Sequence, residues 1–132
     1  MCKRGDIYLA DCGRDSGSSQ QHGIRPVIVV SNDKANTHSP AVTVVPMTTR
    51  TWKKRDLPTH VLIPCDKCHG LPRSSMALAE QVSTIDKDRL IEHWGRITDQ
   101  QLMSDVTAAL QVQIGAVDIK RKSGLLMWYK KS

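Results

Sequence analysis

The chain has 132 residues, enough for one domain with a hydrophobic core of its own. Its net charge of +6 and isoelectric point near 9.4 favour polyanionic partners such as RNA or DNA. With three Trp, two Tyr and no Phe, it lacks the aromatic side chains for an extended base-stacking platform. No apolar run approaches the roughly 18 residues that span a bilayer, and the first residues lack a signal-peptide pattern. We therefore expect a cytoplasmic protein with reduced cysteines and no membrane partner.

Most of the predicted elements are strands. β-branched and apolar residues mark six of them, at residues 5–10, 25–31, 41–47, 59–63, 75–83 and, last, 92–97. Pro46 predicts that the third strand ends at a sheet edge or a bulge. Turn formers at residues 32–39 predict a short helical turn, and residues 11–23 form a long polar loop of the kind that often carries function.

One long helix follows the last predicted strand. Thr98 and Gln101 have the spacing of a capping box, in which each side chain bonds a backbone N–H. A single apolar stripe then predicts a helix that faces the sheet and stops at Gly115; its members are Leu102, Val106, Leu110 and Ile114. Many short strands with one helix predict a mainly β, barrel-like core with helical cover.

Four short blocks in a fixed order carry a family resemblance. They are RGDIY at residues 4–8, GIRPVIV at 23–29, VVPMT at 44–48 and LAEQVSTIDK at 78–87. Together they resemble the MazF/PemK/Kid toxins of bacterial toxin–antitoxin pairs, over about residues 3–115. The resemblance implies an SH3-like barrel, a strongly bent antiparallel sheet with a C-terminal helix, and a metal-independent mRNA interferase without cofactor that cuts single-stranded RNA at specific sequences.

The resemblance also implies partners and a domain boundary. It predicts a homodimer, an acidic MazE-like antitoxin whose disordered tail lies in the RNA groove and, through that antitoxin, contact with the DNA of its own operon. Residues 1–116 would form the toxin domain. Residues 117–132 form a basic extension, which is either a disordered tail, an extra edge strand, or an added dimer or RNA contact.

Metal-independent RNA cleavage uses the ribose 2′-OH as nucleophile, so it needs a proton acceptor, positive charge on the phosphorane and a proton for the leaving 5′-oxygen. Arg25 begins a buried strand after the polar loop, where a guanidinium would present a rigid fork to a phosphate. The resemblance implies that Arg25 and Thr48 are catalytic. Their alternatives are a structural salt bridge for Arg25 and an ordinary strand exit for Thr48.

Two residues are candidates for the general base. The family's usual loop glutamate is replaced here by Gln20, whereas His22 stands at a usual glycine, three residues before Arg25. A histidine titrates near neutrality, so we predict that His22 transfers the proton; a solvated loop histidine is the alternative. Glu80, predicted within a strand, is the second candidate, and a salt bridge is its alternative.

Polar and basic side chains in two loops and one strand are predicted to bind RNA. Amide and hydroxyl groups can read the edges of unpaired bases, and lysines and arginines can follow the phosphates. The predicted contacts are Ser19, Gln20, Gln21, Gln81, Lys53, Lys54 and Arg55.

Three rival functions remain open on the sequence. The first is a CcdB-like toxin that acts by binding, and the second is a nucleic-acid-binding module of the same fold. The third is a metal or redox protein built around Cys65, Cys68 and His69, which match the haem-attachment spacing and, with another ligand, a zinc site.

Overall fold

The structure is a computed structural model that describes residues 2–13, 23–51, 57–122 and 125–130, with the backbone alone from residue 119 onward. The described chain has two helices and ten strands. In chain order they are β1 (Asp6–Asp11), β2 (Ile24–Val29), α1 (Asp33–His38), β3 (Ala41–Thr48), β4 (His60–Ile63), β5 (Cys68–His69), β6 (Ser75–Leu78), β7 (Ser83–Asp86), β8 (Leu90–Ile97), α2 (Gln100–Gln113), β9 (Val117–Lys122) and β10 (Leu125–Lys130).

The first eight strands form one antiparallel, nearly closed sheet in the order β4–β6–β3–β2–β1–β8–β5, with β7 also paired to β3. The predicted mainly β, barrel-like fold with one long helix is therefore confirmed. The strand at 92–97 is not the last, because β9 and β10 form a separate two-stranded hairpin after α2.

Pro46 does not lie at a sheet edge, so that alternative is wrong; the other predicted alternative, a bulge, stays a prediction. Pro46 is buried within β3 and faces Val27 of β2. On its other side β3 changes partner, from β7 at residues 41–44 to β6 at residues 47–48. Pro46 lies in this interval, where the missing N–H breaks no ladder hydrogen bond.

The sheet buries apolar residues on both faces. One face packs against α2 through a cluster that includes Ile28, Met47, Leu102 and Val106. Alternate residues of the same strands point the other way, because successive side chains of a strand alternate between faces. Together with Cys2, which precedes β1, they form a second, smaller cluster: Ala10, Val27, Val29, Val42 and Val44.

Helix α2 begins at a different cap from the predicted one. The side chain of Asp99 accepts a hydrogen bond from the backbone N–H of Leu102 at 2.9 Å. Thr98 instead donates its hydroxyl to the carbonyl oxygen of Lys67 at 3.1 Å, which ties the helix start to the loop before β5. The stop at Gly115 agrees with the prediction (φ +77°), but Ile114 lies past the last helical residue and is 72% exposed.

The first resemblance block contributes to the fold. Arg4 donates from its guanidinium to the carbonyl oxygen of Val30 and to the hydroxyl of Thr107, so one side chain joins the end of β2 to α2.

Two glycines let the backbones of β5 and β8 meet at the end of the sheet. A Cβ on Gly70 (φ +85°) would lie 1.9 Å from the carbonyl oxygen of Trp94, and one on Gly95 would lie 1.7 Å from that of His69. Neither position can carry a side chain without moving a strand.

Candidate active site

Arg25 and Thr48 lie on neighbouring strands, on the face of the sheet away from α2. The pairing of β2 with β3 includes Val27 opposite Pro46. Arg25 and Thr48 each lie two residues beyond this pair, at the same end of the two strands, where β3 pairs with β6 on its other side. Both side chains are half-buried.

The hydroxyl of Thr48 is oriented by the chain that follows it. Its oxygen accepts a hydrogen bond from the backbone N–H of Arg50 at 3.2 Å. Because a hydroxyl can accept and donate at once, this bond leaves the Thr48 hydrogen for a second acceptor. The arrangement suits donation to an anionic oxygen beside Arg25.

A groove adjoins this pair on the same face. It has a volume of about 280 Å³ and is lined by Cys12, Gly13, Val44, Pro46, Gln81, Ser83, Thr84, Ile85 and Arg89. Cys12 lies two residues after Ala10, which is opposite Arg25, and Pro46 lies two residues before Thr48. A strand of substrate that contacts Arg25 and Thr48 would thus continue into the groove.

Three charged side chains act on the thiol of Cys12. Burial and the carboxylate of Asp11 raise the pKa of the Cys12 thiol, whereas the guanidinium groups of Arg25 and Arg89 act to lower it. Both cations are therefore close enough to the groove wall for their fields to reach the same sulfur atom. Sequence reasoning missed Arg89, because its approach to the groove depends on the pairing of β7 with β3.

The predicted binding loop leaves the sheet at the groove. Its stem is held by two backbone hydrogen bonds, from Cys12 N to Gly23 O at 2.8 Å and from Gly23 N to Gly13 O at 2.6 Å. Between these ends lie three residues predicted to bind RNA and the predicted general base, and all four fall outside the described residues: Ser19, Gln20, Gln21 and His22. The predicted phosphate contacts Lys53, Lys54 and Arg55 also lie outside them.

Glu80 and Gln81 lie in a 3-10 turn, Ala79–Gln81, and not in a strand as predicted. The turn separates β6 from β7, which the sequence shows as one continuous run. Gln81 lines the groove. Glu80 does not; its Oε2 lies 2.9 Å from Nε2 of His60, whose side chain is only 6% exposed. Its Oε1 is buried and accepts no hydrogen bond from the part of the chain that the structure describes.

The cysteine motif does not form a ligand cluster. All four cysteines are free thiols. Within the described ranges, no three His, Cys, Asp or Glu side chains come together in a way that would hold a metal ion. Burial, with the nearby Cys65 and Asp66, raises the pKa of Cys68 to about 11. In the described part of the chain, no helix is both long and apolar enough to cross a bilayer.

Comparison with known proteins identifies the family. Residues 3–114 match the model of the PemK-like, MazF-like toxins of type II toxin–antitoxin systems. The chain belongs to this family, which confirms the resemblance predicted from the four sequence blocks.

Two curated relatives and one solved structure are similar over most of the chain. The chain is 41% identical to endoribonuclease MazF of Staphylococcus saprophyticus over 91% of its length and 97% of that protein. It is 42% identical to endoribonuclease EndoA of Bacillus subtilis over 89% of its length and 98% of that protein. A mycobacterial endoribonuclease, solved in complex with its cognate antitoxin, matches with a TM-score of 0.70 and 27% identity, over 87% of this chain and 96% of that one.

Proposed function

We propose that this protein is the endoribonuclease of a type II toxin–antitoxin pair, and that it cuts single-stranded mRNA at specific sequences without a metal ion. Both curated relatives are endoribonucleases, and this chain spans nearly the whole length of each. The observation that supports the proposal is the pairing of Val27 with Pro46, which brings together the ends of β2 and β3 that carry Arg25 and Thr48, with Pro46 in the wall of a groove.

In the proposed reaction, the 2′-oxygen of a ribose attacks the adjacent phosphorus while the bond from phosphorus to the 5′-oxygen breaks. Arg25 stabilises the phosphorane charge with its guanidinium, and Thr48 donates its hydroxyl to a non-bridging oxygen. A base takes the 2′-OH proton, and the leaving 5′-oxygen gains a proton either from that protonated base or from the guanidinium of Arg25, which then regains one from solvent. The products are a 2′,3′-cyclic phosphate and a 5′-hydroxyl.

His22 is the proposed base. It directly precedes Gly23, whose backbone holds the loop stem at the groove. Glu80 stays the alternative, although its pairing with His60 and its buried Oε1 leave it less available to a ribose. Ser19, Gln20, Gln21 and Gln81 are proposed to read bases, and Lys53, Lys54 and Arg55 to contact phosphates.

The proposed partners follow the family. They are a second copy of the chain, an acidic MazE-like antitoxin whose tail competes for the basic groove and, through the antitoxin, operon DNA. The mycobacterial neighbour, solved in complex with its cognate antitoxin, supports this choice of partner. We propose that the protein acts in the cytoplasm. We also propose that the toxin domain ends at residue 116 and that residues 117–132 are an added basic segment. A native mass of twice 14.7 kDa would support the dimer.

Incubation of a long RNA with the purified protein in EDTA tests the function. We expect cleavage at a short recurrent sequence with cyclic phosphate ends. Arg25→Ala should abolish most activity, and Arg25→Lys should recover little, because an ammonium lacks the guanidinium fork. Arg73→Ala is a matched control: Arg73 is exposed and is not among the groove-lining residues. Intact RNA with wild-type protein would favour the CcdB-like alternative or the binding module.

A further inference from the structure

The outer wall of the groove carries a cation that the proposed chemistry does not use. Arg89 ends a 3-10 turn, Lys87–Arg89, just before β8, and lines the groove together with the hydroxyl residues Ser83 and Thr84. Ala10 of β1 pairs with Arg25 of β2 on one side and with Leu90, the residue after Arg89, on the other. The two arginines thus flank the end of β1, and both guanidinium groups act on the thiol of Cys12.

A purely structural role does not account for Arg89. Within the described residues, its ion pair joins Nη1 to Oδ1 of Asp11 at 3.9 Å, beyond hydrogen-bond distance, and the two side chains are 47% and 53% exposed. Such exposed pairs contribute little to stability and are weakened by salt. The same Asp11 oxygen already accepts a hydrogen bond from Gly13 N at 2.9 Å, which serves the loop stem.

We propose that Arg89 binds a phosphate of the RNA strand, next to the one held at Arg25 and Thr48, and so fixes how the strand enters the groove. This inference rests on the proposed function, because it names a second contact to the same substrate. Arginine suits the position, since its planar fork can hold two phosphate oxygens at once. Asp11 then acts as a counter-charge that holds Arg89 loosely and gives way to a phosphate.

Opposite effects of two substitutions distinguish this role from a structural ion pair. Arg89→Ala removes the phosphate contact, whereas Asp11→Asn removes a competing anion and keeps the oxygen that accepts from Gly13. A structural pair would make both changes act alike, because either one breaks it. A phosphate contact predicts weaker RNA binding for Arg89→Ala and unchanged or tighter binding for Asp11→Asn.

The test uses a single-stranded 2′-O-methyl RNA of mixed sequence, which cannot be cut because its nucleophile is blocked. Binding by the full chain is measured by fluorescence anisotropy at several salt concentrations. We expect Arg89→Ala to raise Kd by about tenfold and to reduce the slope of log K against log salt by about 0.7, the value for one phosphate on a single strand. Arg89→Lys should recover part of the affinity.

Two controls report the effect of charge alone, Arg73→Ala and Asp105→Asn, both at exposed positions outside the groove lining. The proposal is overturned if Arg89→Ala binds like Arg73→Ala, if Asp11→Asn weakens binding as much as Arg89→Ala does, or if the wild type does not bind this RNA. The proposed nuclease function fails differently, by leaving a cleavable RNA intact.

Discussion

Replacing Thr48 with Val removes one hydroxyl and keeps the shape of the side chain. In the folded protein the hydroxyl oxygen accepts only a 3.2 Å bond from Arg50 N among the bonds described, and Arg50 is exposed, so water can replace the lost acceptor. We therefore expect a loss of at most about 1 kcal/mol in the free energy of unfolding. If the hydroxyl donates to the phosphorane, its removal should cost about 3 kcal/mol of transition-state stabilisation, a fall in the cleavage rate of 10²-fold or more.

The assay is single-turnover cleavage of a short RNA in EDTA, run beside thermal unfolding of the same samples. Thr48→Ser keeps the hydroxyl and loses only a methyl group, so it should retain most activity. The reasoning is refuted if Thr48→Val cuts at the wild-type rate, or if Thr48→Ser is as slow as Thr48→Val.

Three further predictions follow from the loop, the helix cap and the thiols. His22→Ala should lower turnover at saturating RNA by about tenfold or more and flatten the neutral part of the pH profile; unchanged turnover ends its role as base. Asp99→Ala should lower the free energy of unfolding by about 1 kcal/mol, because Asp99 caps α2. Thr98→Ala should lower it clearly less. Thermal or denaturant unfolding measures both, and equal losses would contradict the assigned cap. At pH 8, iodoacetamide should modify exposed Cys65 before Cys68, because a pKa of about 11 leaves little Cys68 thiolate until the pH approaches that value. Peptide mass spectrometry would show the order of modification. Earlier labelling of Cys68 would contradict the prediction.

The fold and the family were predictable because their signals are local or carried by the resemblance. Apolar runs mark β2 and β3, and the four sequence blocks mark the family; both predictions are confirmed. Consecutive strands tend to pair, and β2 does pair with β3, which brings the strand ends that carry Arg25 and Thr48 to the same end of the sheet.

Other features depend on contacts that no local pattern shows. Residues 75–83 contain no Gly or Pro to mark a break, so nothing in their pattern reveals the 3-10 turn that moves Glu80 off a strand. Thr98 and Asp99 are both residue types that commonly cap helices. The hydroxyl of Thr98 instead donates to the carbonyl oxygen of Lys67, which is distant in sequence, so Asp99 is the residue that caps α2. Arg89 follows Asp88 in a charged run that is typical of solvated surface. Its place at the groove depends on the pairing of β7 with β3, which the sequence does not show.

The contact between Gly70 and Gly95 has a consequence for genetics. A screen for colonies that survive expression of the gene will collect any substitution that abolishes growth inhibition. Changes at these two glycines should be recovered as readily as changes at the nuclease centre, although they act by preventing the sheet from closing. Survivors therefore need to be sorted by the amount of folded protein in the cell before any position is assigned a role in RNA cleavage.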